Sequence, residues 1–439
     1  MAQQNKGQDA ILKKLGIKAL NPMQLEAHAA IFSHEEVILL SPTGTGKTLA
    51  FLLPLLNDLD PTLEQVQALI LAPSRELAIQ IEQVAREMGS GYKVNAIYGG
   101  RANSKDKIDL KQPPAILIGT PGRIADHFRR GTVSTDYIKT LILDEFDKSL
   151  EVGFEKEMKE IVFKIPNVEK KILTSATQQV EVPTFLGLQQ PKKLNYLKEG
   201  RLNLKLRTIL TPTIDKLSGL EQLLRHLGDG RGIIFCNFKD TIQFVSDFLT
   251  EKNIAHARFY GGLEQRDRER ALIRFRNGTH RILLATDLAA RGIDVPALDF
   301  IIHYQVPFKL EEFVHRNGRT ARMQEDGTAY ILLFQEHTLA DFIEGAKIID
   351  LPEDQSLPPA SPWETLFISG GRKDKISKGD IAGLFFKQGG LEKGELGVIE
   401  LKQDCAFVAV PRKKVQSLVK TLNNSRLKKK KVRITLLEE

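Results

Sequence analysis

The stretch 40–48 of this 439-residue chain, Leu-Ser-Pro-Thr-Gly-Thr-Gly-Lys-Thr, has the residue types of a phosphate-binding loop. An apolar run from Val37 to Leu40 precedes it, and an apolar helical pattern from Leu49 to Leu59 follows. Gly44 and Gly46 let the backbone curl with Thr43 and Thr45, so that consecutive N–H groups face a polyphosphate. Lys47 supplies a point charge for the outer phosphates, and Thr48 a hydroxyl for Mg²⁺. The start of the following helix adds partial positive charge at the same place. The stricter form of the loop begins on Gly, where this chain has Ser41.

Leu-Ile-Leu-Asp-Glu-Phe-Asp at 141–147 is the second chemical stretch. Asp144 and Glu145 end an apolar strand, and open α/β sheets bind ligands at the carboxyl ends of their strands. Asp144 can hold Mg²⁺ through water; Glu145 can orient and deprotonate an attacking water. An isolated Asp-Glu pair is more often surface charge. Downstream of a phosphate loop, at the end of an apolar strand, it reads as catalytic. Residues 315–322, His-Arg-Asn-Gly-Arg-Thr-Ala-Arg, space Arg316, Arg319 and Arg322 by three, on one side of a helical turn. Cations so placed stabilise phosphoryl transfer, whereas a bland solvated basic helix is the alternative. Gly99 and Gly100 permit close backbone approach to a strand of phosphates. Thr120 and Gly122 precede a helix start, an anion site. Arg75 and Arg123 can each fork onto a phosphate, Arg75 having Glu76 as a competing partner.

Positioning these groups requires sheets. Strands are expected at 37–40, 67–72, 94–98, 115–118, 140–143 and 171–174, with amphipathic stretches between them. That alternation predicts a parallel sheet with helices on both faces. A second series, from Thr208 to Gly345, has strands at 231–235, 256–259, 281–285, 299–303 and 328–334 and no phosphate loop. One nucleotide site shared by two similar domains is the simplest arrangement. Residues 198–207 read as a connector and the Pro- and Ser-rich 351–362 as a linker. The expected domains are 1–200, 205–350 and, after the 351–362 linker, 363–439.

Taken together these stretches resemble the DEAD-box family of ATP-dependent RNA helicases, in the family's order and spacing from Gly16 to Arg322. Residues 16–24 resemble the Q motif, in which Gln24 reads the adenine edge. Residues 41–48 resemble motif I, 72–78 and 120–123 the RNA-backbone motifs, 144–147 motif II and 175–177 motif III. Residues 233–241 resemble motif IV, 285–294 motif V and 315–322 motif VI. The resemblance implies two RecA-like domains and the cofactors ATP and Mg²⁺. It implies RNA contacts by Arg75, Gly100, Thr120, Arg123, Gln265, Arg268, Thr286 and Arg291. Asp294 faces the ribose, Arg319 and Arg322 act as arginine fingers, and Asp147, Ser175, Thr177 and His315 couple the parts. Lys47, Asp144 and Glu145 are the catalytic residues of the first domain.

The net charge is +8, and the last 77 residues alone hold 17 Lys plus Arg against 9 Asp plus Glu. A basic appendage on a neutral body is an electrostatic address for a polyanion, with a solubilising tail as the alternative. Its pattern, strand 365–371, helix 378–386, strand 405–411, helix 411–423 and strand 431–437, suits a small α+β RRM-like fold. Phe367 and Phe407 either stack on bases, as in an RRM, or belong to the core. Residues 370–376 and 378–383 resemble the RNA-binding domain of DbpA-type helicases. That implies 23S-type ribosomal RNA or pre-ribosomal particles as partner, with Arg372, Lys373 and Lys375 as contacts. The lysine run at 428–431 is either a further phosphate grip or simply solvated.

The hydrophobic fraction is 42%, and no apolar run reaches about 18 residues, so no membrane span is expected. The first residues lack an apolar signal segment, and Cys236 and Cys405 stand far apart in apolar runs. These features suit a cytoplasmic protein; the resemblance implies a monomer acting in ribosome biogenesis, and a non-catalytic ATP-dependent RNA clamp is the rival. Four positions depart from the family's pattern. Phe146 replaces a small alanine, close to the coupling residues. Asn317 replaces a hydrophobic residue and Ala321 a glycine. Ile17 stands where an aromatic is common.

Overall fold

The computed structural model describes residues 7–100, 103–151, 153–177, 181–197, 204–287, 295, 298–320, 327–352 and 356–437. The chain divides into two compact units near residue 203.

The first unit runs α1 (Gln8–Leu15), α2 (Pro22–Ser33), β1 (Glu36–Leu40), α3 (Lys47–Asp58), β2 (Ala68–Leu71), α4 (Arg75–Met88), β3 (Val94–Ile97), α5 (Asn103–Leu110), β4 (Ile116–Gly119), α6 (Pro121–Arg129), β5 (Thr140–Leu143), α7 (Phe146–Glu151), α8 (Glu155–Phe163), β6 (Lys170–Ser175) and β7 (Lys192–Asn195). Its strands form one parallel sheet in the order β3-β4-β2-β5-β6-β1-β7. All of β2 to β5 is buried, as strands covered on both faces by helices are, and buried Asn95 of β3 donates to the Asp109 carbonyl. One core packs Phe51, Leu52 and Ile81 against one face; the other packs Ile124, Phe128 and Ile161 against the opposite face. Two devices fix helix entries at the site. Asn21 caps α2 through Gln24 in a reciprocal capping box, with Pro22 in the first turn. Ser74 caps α4 by accepting from the Leu77 N–H.

The second unit begins with β8 (Leu204–Thr211) and continues with α9 (Leu217–Leu227), β9 (Gly232–Phe235), α10 (Lys239–Glu251), β10 (His256–Phe259), α11 (Gln265–Arg276), β11 (Ile282–Ala285), β12 (Phe300–His303), α12 (Leu310–Asn317), β13 (Gly327–Phe334) and β14 (Lys347–Ile348). They build a second parallel sheet, β10-β11-β9-β12-β13-β8-β14. Here the expected connector 198–207 is corrected. Residues 204–207 open β8, which pairs over its whole length with β13. Leu204 and Leu206 alternate with Lys205 and Arg207, the period of a strand rather than of a linker.

The same unit carries β15 (Trp363–Ile368), α13 (Lys378–Lys387), β16 (Ile399–Leu401), β17 (Ala406–Pro411), α14 (Val415–Leu422), the two-residue strands β18 (Arg426–Leu427) and β19 (Lys430–Lys431), and β20 (Ile434–Leu436). An antiparallel sheet, β16-β17-β15-β20, packs one face on α13 and α14 through Leu366, Phe385, Val408 and Leu422. The other face lies on the end of α11. There Ile273 packs with Phe407 and Leu437. Arg274 donates to the Leu437 carbonyl, Asn277 Nδ2 lies 3.3 Å from the Thr365 hydroxyl, and Thr279 Oγ1 lies 2.7 Å from it. Phe367 sits edge-on to Phe407, with ring centroids 5.7 Å apart. Both rings therefore belong to this packed interface, which answers the question the sequence left between stacking and core.

Candidate functional site

The phosphate loop leaves β1, the sixth strand of the first sheet, and enters α3. Gly44 and Gly46 take φ of 84° and 86°, a region that L side chains rarely adopt. Gly46 has a second constraint, since a Cβ there would meet Gln24 Nε2 at 2.4 Å. Thr45 Oγ1 donates to the Pro42 carbonyl at 2.9 Å and lies 2.8 Å from the Ser41 hydroxyl. Lys47 folds over this curl and donates to the Ser41 and Pro42 carbonyls at 2.7 and 2.8 Å. Its ammonium is thus held at the mouth of the loop. The Q-motif residues brace the loop from α2. Asn21 Nδ2 donates to the Thr45 carbonyl at 3.0 Å, and Gln24 Nε2 to the Gly46 carbonyl at 3.2 Å.

Asp144 follows β5, and β6 is the strand between β5 and β1. This order sets Thr174 of β6 beside Asp144. Its hydroxyl donates to Asp144 Oδ1 and also accepts from the Glu145 N–H at 3.3 Å. Burial pushes the Asp144 carboxyl above the usual carboxylate range, and the Thr174 hydroxyl and the Lys47 charge oppose that. Glu145 stands at φ 50°, a strained setting for a non-glycine residue, and is 5% exposed. The Thr177 hydroxyl donates to Asp147 Oδ2 at 3.0 Å, and Ser175 Oγ accepts from the Thr177 N–H at 2.9 Å. Motif II and the 175–177 turn are therefore one bonded unit. Burial and the charge of Glu145 raise the Asp147 carboxyl. Thr48 and Asp144 are a sparse oxygen donor set, which fits a cation that brings water and substrate oxygens with it. Among the described residues no cluster of three or more His, Cys, Asp and Glu could hold a metal by itself.

Family models match in chain order: the DEAD/DEAH box helicase at residues 21–185, the helicase conserved C-terminal domain at 215–324, and the DbpA RNA binding domain at 365–436. The ATP-dependent RNA helicase DbpA of Escherichia coli is 33% identical over 97% of this chain and 96% of its own length. The chain belongs to the DEAD-box family of ATP-dependent RNA helicases. A DbpA of Bacillus subtilis is 30% identical over 96% of both chains. Among solved structures, Saccharomyces cerevisiae Dbp5 bound to RNA and ADP BeF3 matches with TM-score 0.67 and 26% identity, over 74% of this chain and 88% of that one. As a member of this family the chain is an RNA-stimulated ATPase.

Several other DEAD-box motif residues follow the carboxyl ends of strands in their own units. In the first unit Arg75 lies over the Gly99–Gly100 turn, where a Cβ on Gly100 would meet its Nη1 at 2.5 Å. Thr120 caps α6. Arg123 forks onto Asp106 at 2.8 and 2.6 Å, and Asp106 is fully buried. Its guanidinium is thus paired with a buried carboxylate. In the second unit Gln265 opens α11, Arg268 stacks over the Phe259 ring at 5.0 Å, and Thr286 follows β11. His315 and Arg319 are buried around the end of α12, 6% exposed each. Arg291, Asp294, Ala321 and Arg322 lie outside the described residues. In the terminal domain Arg372, Lys373 and Lys375 are exposed on one short turn. Of the 428–431 run, Lys428 pairs with Asp380 at 2.9 Å and Lys430 with Asp374 at 2.8 Å.

Two residues organise the site through partners that the sequence does not show. Thr174 orients Asp144, and only strand register reveals it. Arg316 is 1% exposed and binds Asp287 at 2.6 Å, the Gln305 carbonyl at 2.6 Å and Asn237 at 2.7 Å. It ties motif VI to motifs IV and V, so of the three evenly spaced arginines this one is a structural hub. A cavity of about 790 Å³ between Lys216 and Phe342 is lined by none of the motif residues.

Proposed function

We propose that this helicase hydrolyses Mg²⁺-bound ATP to separate short stretches of structured ribosomal RNA during ribosome assembly. Lys47 and the loop N–H groups bind the phosphates. When bound, Mg²⁺ neutralises charge on them, held by Thr48 and through water by Asp144. Glu145 orients the attacking water and accepts its proton, and Arg319 and Arg322 supply cations for the charge that develops on the transferred phosphate. Gln24 selects adenine. The Thr177–Asp147 hydrogen bond links the state of motif II to the rest of the machine, and binding of ATP and RNA favour each other reciprocally.

The observation that carries the reading is the buried group of Lys47, Asp144 and Glu145, with Thr174 and Thr177 holding the two aspartates. A clamp without catalysis has no need of that arrangement. The ribosomal target is supported by the basic terminal domain and the exposed Arg372, Lys373 and Lys375. Among the described residues no helix is long and apolar enough to cross a membrane. Action in the cytoplasm as a monomer completes the reading. Single-turnover ATP hydrolysis with and without RNA, on the full chain and on Glu145→Gln, tests the catalytic half. RNA-independent hydrolysis, or none in the wild type, overturns it. Crosslinking in cells tests the target: reads concentrated on one ribosomal RNA element support it, and diffuse reads refute it.

A further inference from the structure

Two phenylalanines stand exposed side by side at the carboxyl edge of the second sheet. Phe238 follows β9 and is 54% exposed; Phe308 follows β12 and is 74% exposed. Their ring centroids are 6.2 Å apart, with 56° between the planes. Each is followed by an exposed lysine, Lys239 and Lys309. Apolar rings of this size are normally removed from water, and a pair of them on a rim of charge marks a binding surface.

The rings are held in place. Asn237 donates its N–H to Gln305 Oε1 and its Nδ2 to the Val306 carbonyl, both at 2.9 Å, and accepts from Arg316. The loop after β9 is thereby tied to the loop after β12, so the two rings need little further ordering to receive a ligand. Asp240, Glu311 and Glu312 follow in the first turns of α10 and α12, where helix dipoles favour acids.

The position of the pair decides among ligands. Along the sheet the strands run β10, β11, β9, β12. Gln265 of α11 comes after β10 and Thr286 after β11. The two Phe-Lys pairs come next, after β9 and β12, at a spacing of about 4.8 Å per strand. They prolong the same row.

We propose that Phe238 and Phe308 form a stacking platform for an unpaired base of single-stranded RNA, with Lys239 and Lys309 beside its phosphates. Every base has a π-face, so such a platform adds affinity with little sequence preference. The inference rests on the reading of Thr286 and Gln265 as RNA-facing, which concern backbone; the platform adds a contact to bases.

The test uses the full chain, a fluorescein-labelled decauridylate and an oligomer of equal length lacking bases, both titrated with a non-hydrolysable ATP analogue present. Phe238→Ala/Phe308→Ala changes only exposed rings. It is expected to weaken decauridylate binding by about 10-fold or more, to leave base-free binding unchanged, and to be rescued by Phe308→Trp with Phe238 restored. Equal loss on both oligomers, or no loss on decauridylate, as for a platform that docks protein, overturns the proposal. Thr286→Ala tests the underlying reading separately, because a backbone contact is lost on both oligomers alike. Intact binding of Thr286→Ala together with loss in the phenylalanine variant refutes only the backbone reading.

Discussion

Inside the second unit, His303 Nε2 and Asn317 Oδ1 stand 2.9 Å apart, both side chains being buried. Burial and the neighbouring Arg316 push the His303 imidazole down to about 3, so the ring is neutral and its Nε2–H donates to Asn317. Phe313 stacks on the ring at 4.7 Å. The polar residue that departs from the motif VI pattern thus has a partner one strand away. Asn317→Leu leaves a buried N–H unsatisfied and is expected to cost about 1–3 kcal/mol. His303→Phe/Asn317→Leu removes both polar groups and recovers much of that loss. Urea unfolding of the set checks it, and two losses that simply add refute the coupling.

The same histidine gives the chain an acid sensitivity. Its folded pKa lies below its unfolded value of about 6.5, so the unfolded chain takes up a proton that the folded chain refuses. The penalty is absent above about pH 7 and grows as pH falls from about 6.5 toward 3, by at most about 1.4 kcal/mol per pH unit. Burial, with Arg274 beside it, also lowers His280 to about 3, in the same direction. The raised carboxyls of Asp144 and Asp147 act oppositely, because the folded form binds their protons more readily. The difference between wild type and His303→Phe/Asn317→Leu isolates His303. From pH 7 to 5 the wild type loses about 2 kcal/mol more stability than the double variant. Parallel profiles contradict the assignment.

Thr174→Val keeps the volume in β6 but removes the hydroxyl that holds Asp144 and receives the Glu145 N–H. If Asp144 holds Mg²⁺ as proposed, a group that orients it is expected to matter by about 10–100-fold. The expected result is a lower ATP turnover and a higher Mg²⁺ requirement, with Thr174→Ser restoring both. An unchanged Mg²⁺ titration defeats this role for Thr174.

Most strands of both parallel sheets were legible as short, largely apolar runs between helical patterns, whereas the exposed edge strands β7 and β14, with their Lys192, Lys193 and Lys347, were not. β8 was hidden, since its first half is half-exposed and carries Lys205 and Arg207 between its leucines. The phosphate loop was legible because the chemistry dictates residue types at fixed spacing. Thr174, Arg316 and the His303–Asn317 pair were not. Their partners lie 30, 29 and 14 residues away in the chain and meet only through strand order. Phe367 and Phe407 show a further limit. Alternation sets them on one sheet face, yet only the packing of Ile273 decides that this face is covered.

Phe146 was expected to alter the coupling of ATP hydrolysis to unwinding, since it replaces a small residue beside Asp147. Its ring is 1% exposed and packs in the core with Leu40, Leu143, Met158 and Leu173. The ring beside Asp147 is thus also part of the core packing. Phe146→Ala leaves a cavity in this core and is expected to cost about 3–5 kcal/mol. Phe146→Leu fills most of that space and is expected to cost less. Both variants leave Asp144, Glu145, Asp147 and Thr177 unchanged. If packing alone is the role, base pairs opened per ATP stay constant in both while unfolding midpoints drop in order of side-chain volume. A changed ratio in Phe146→Leu, with its stability near wild type, returns the ring to the coupling machinery.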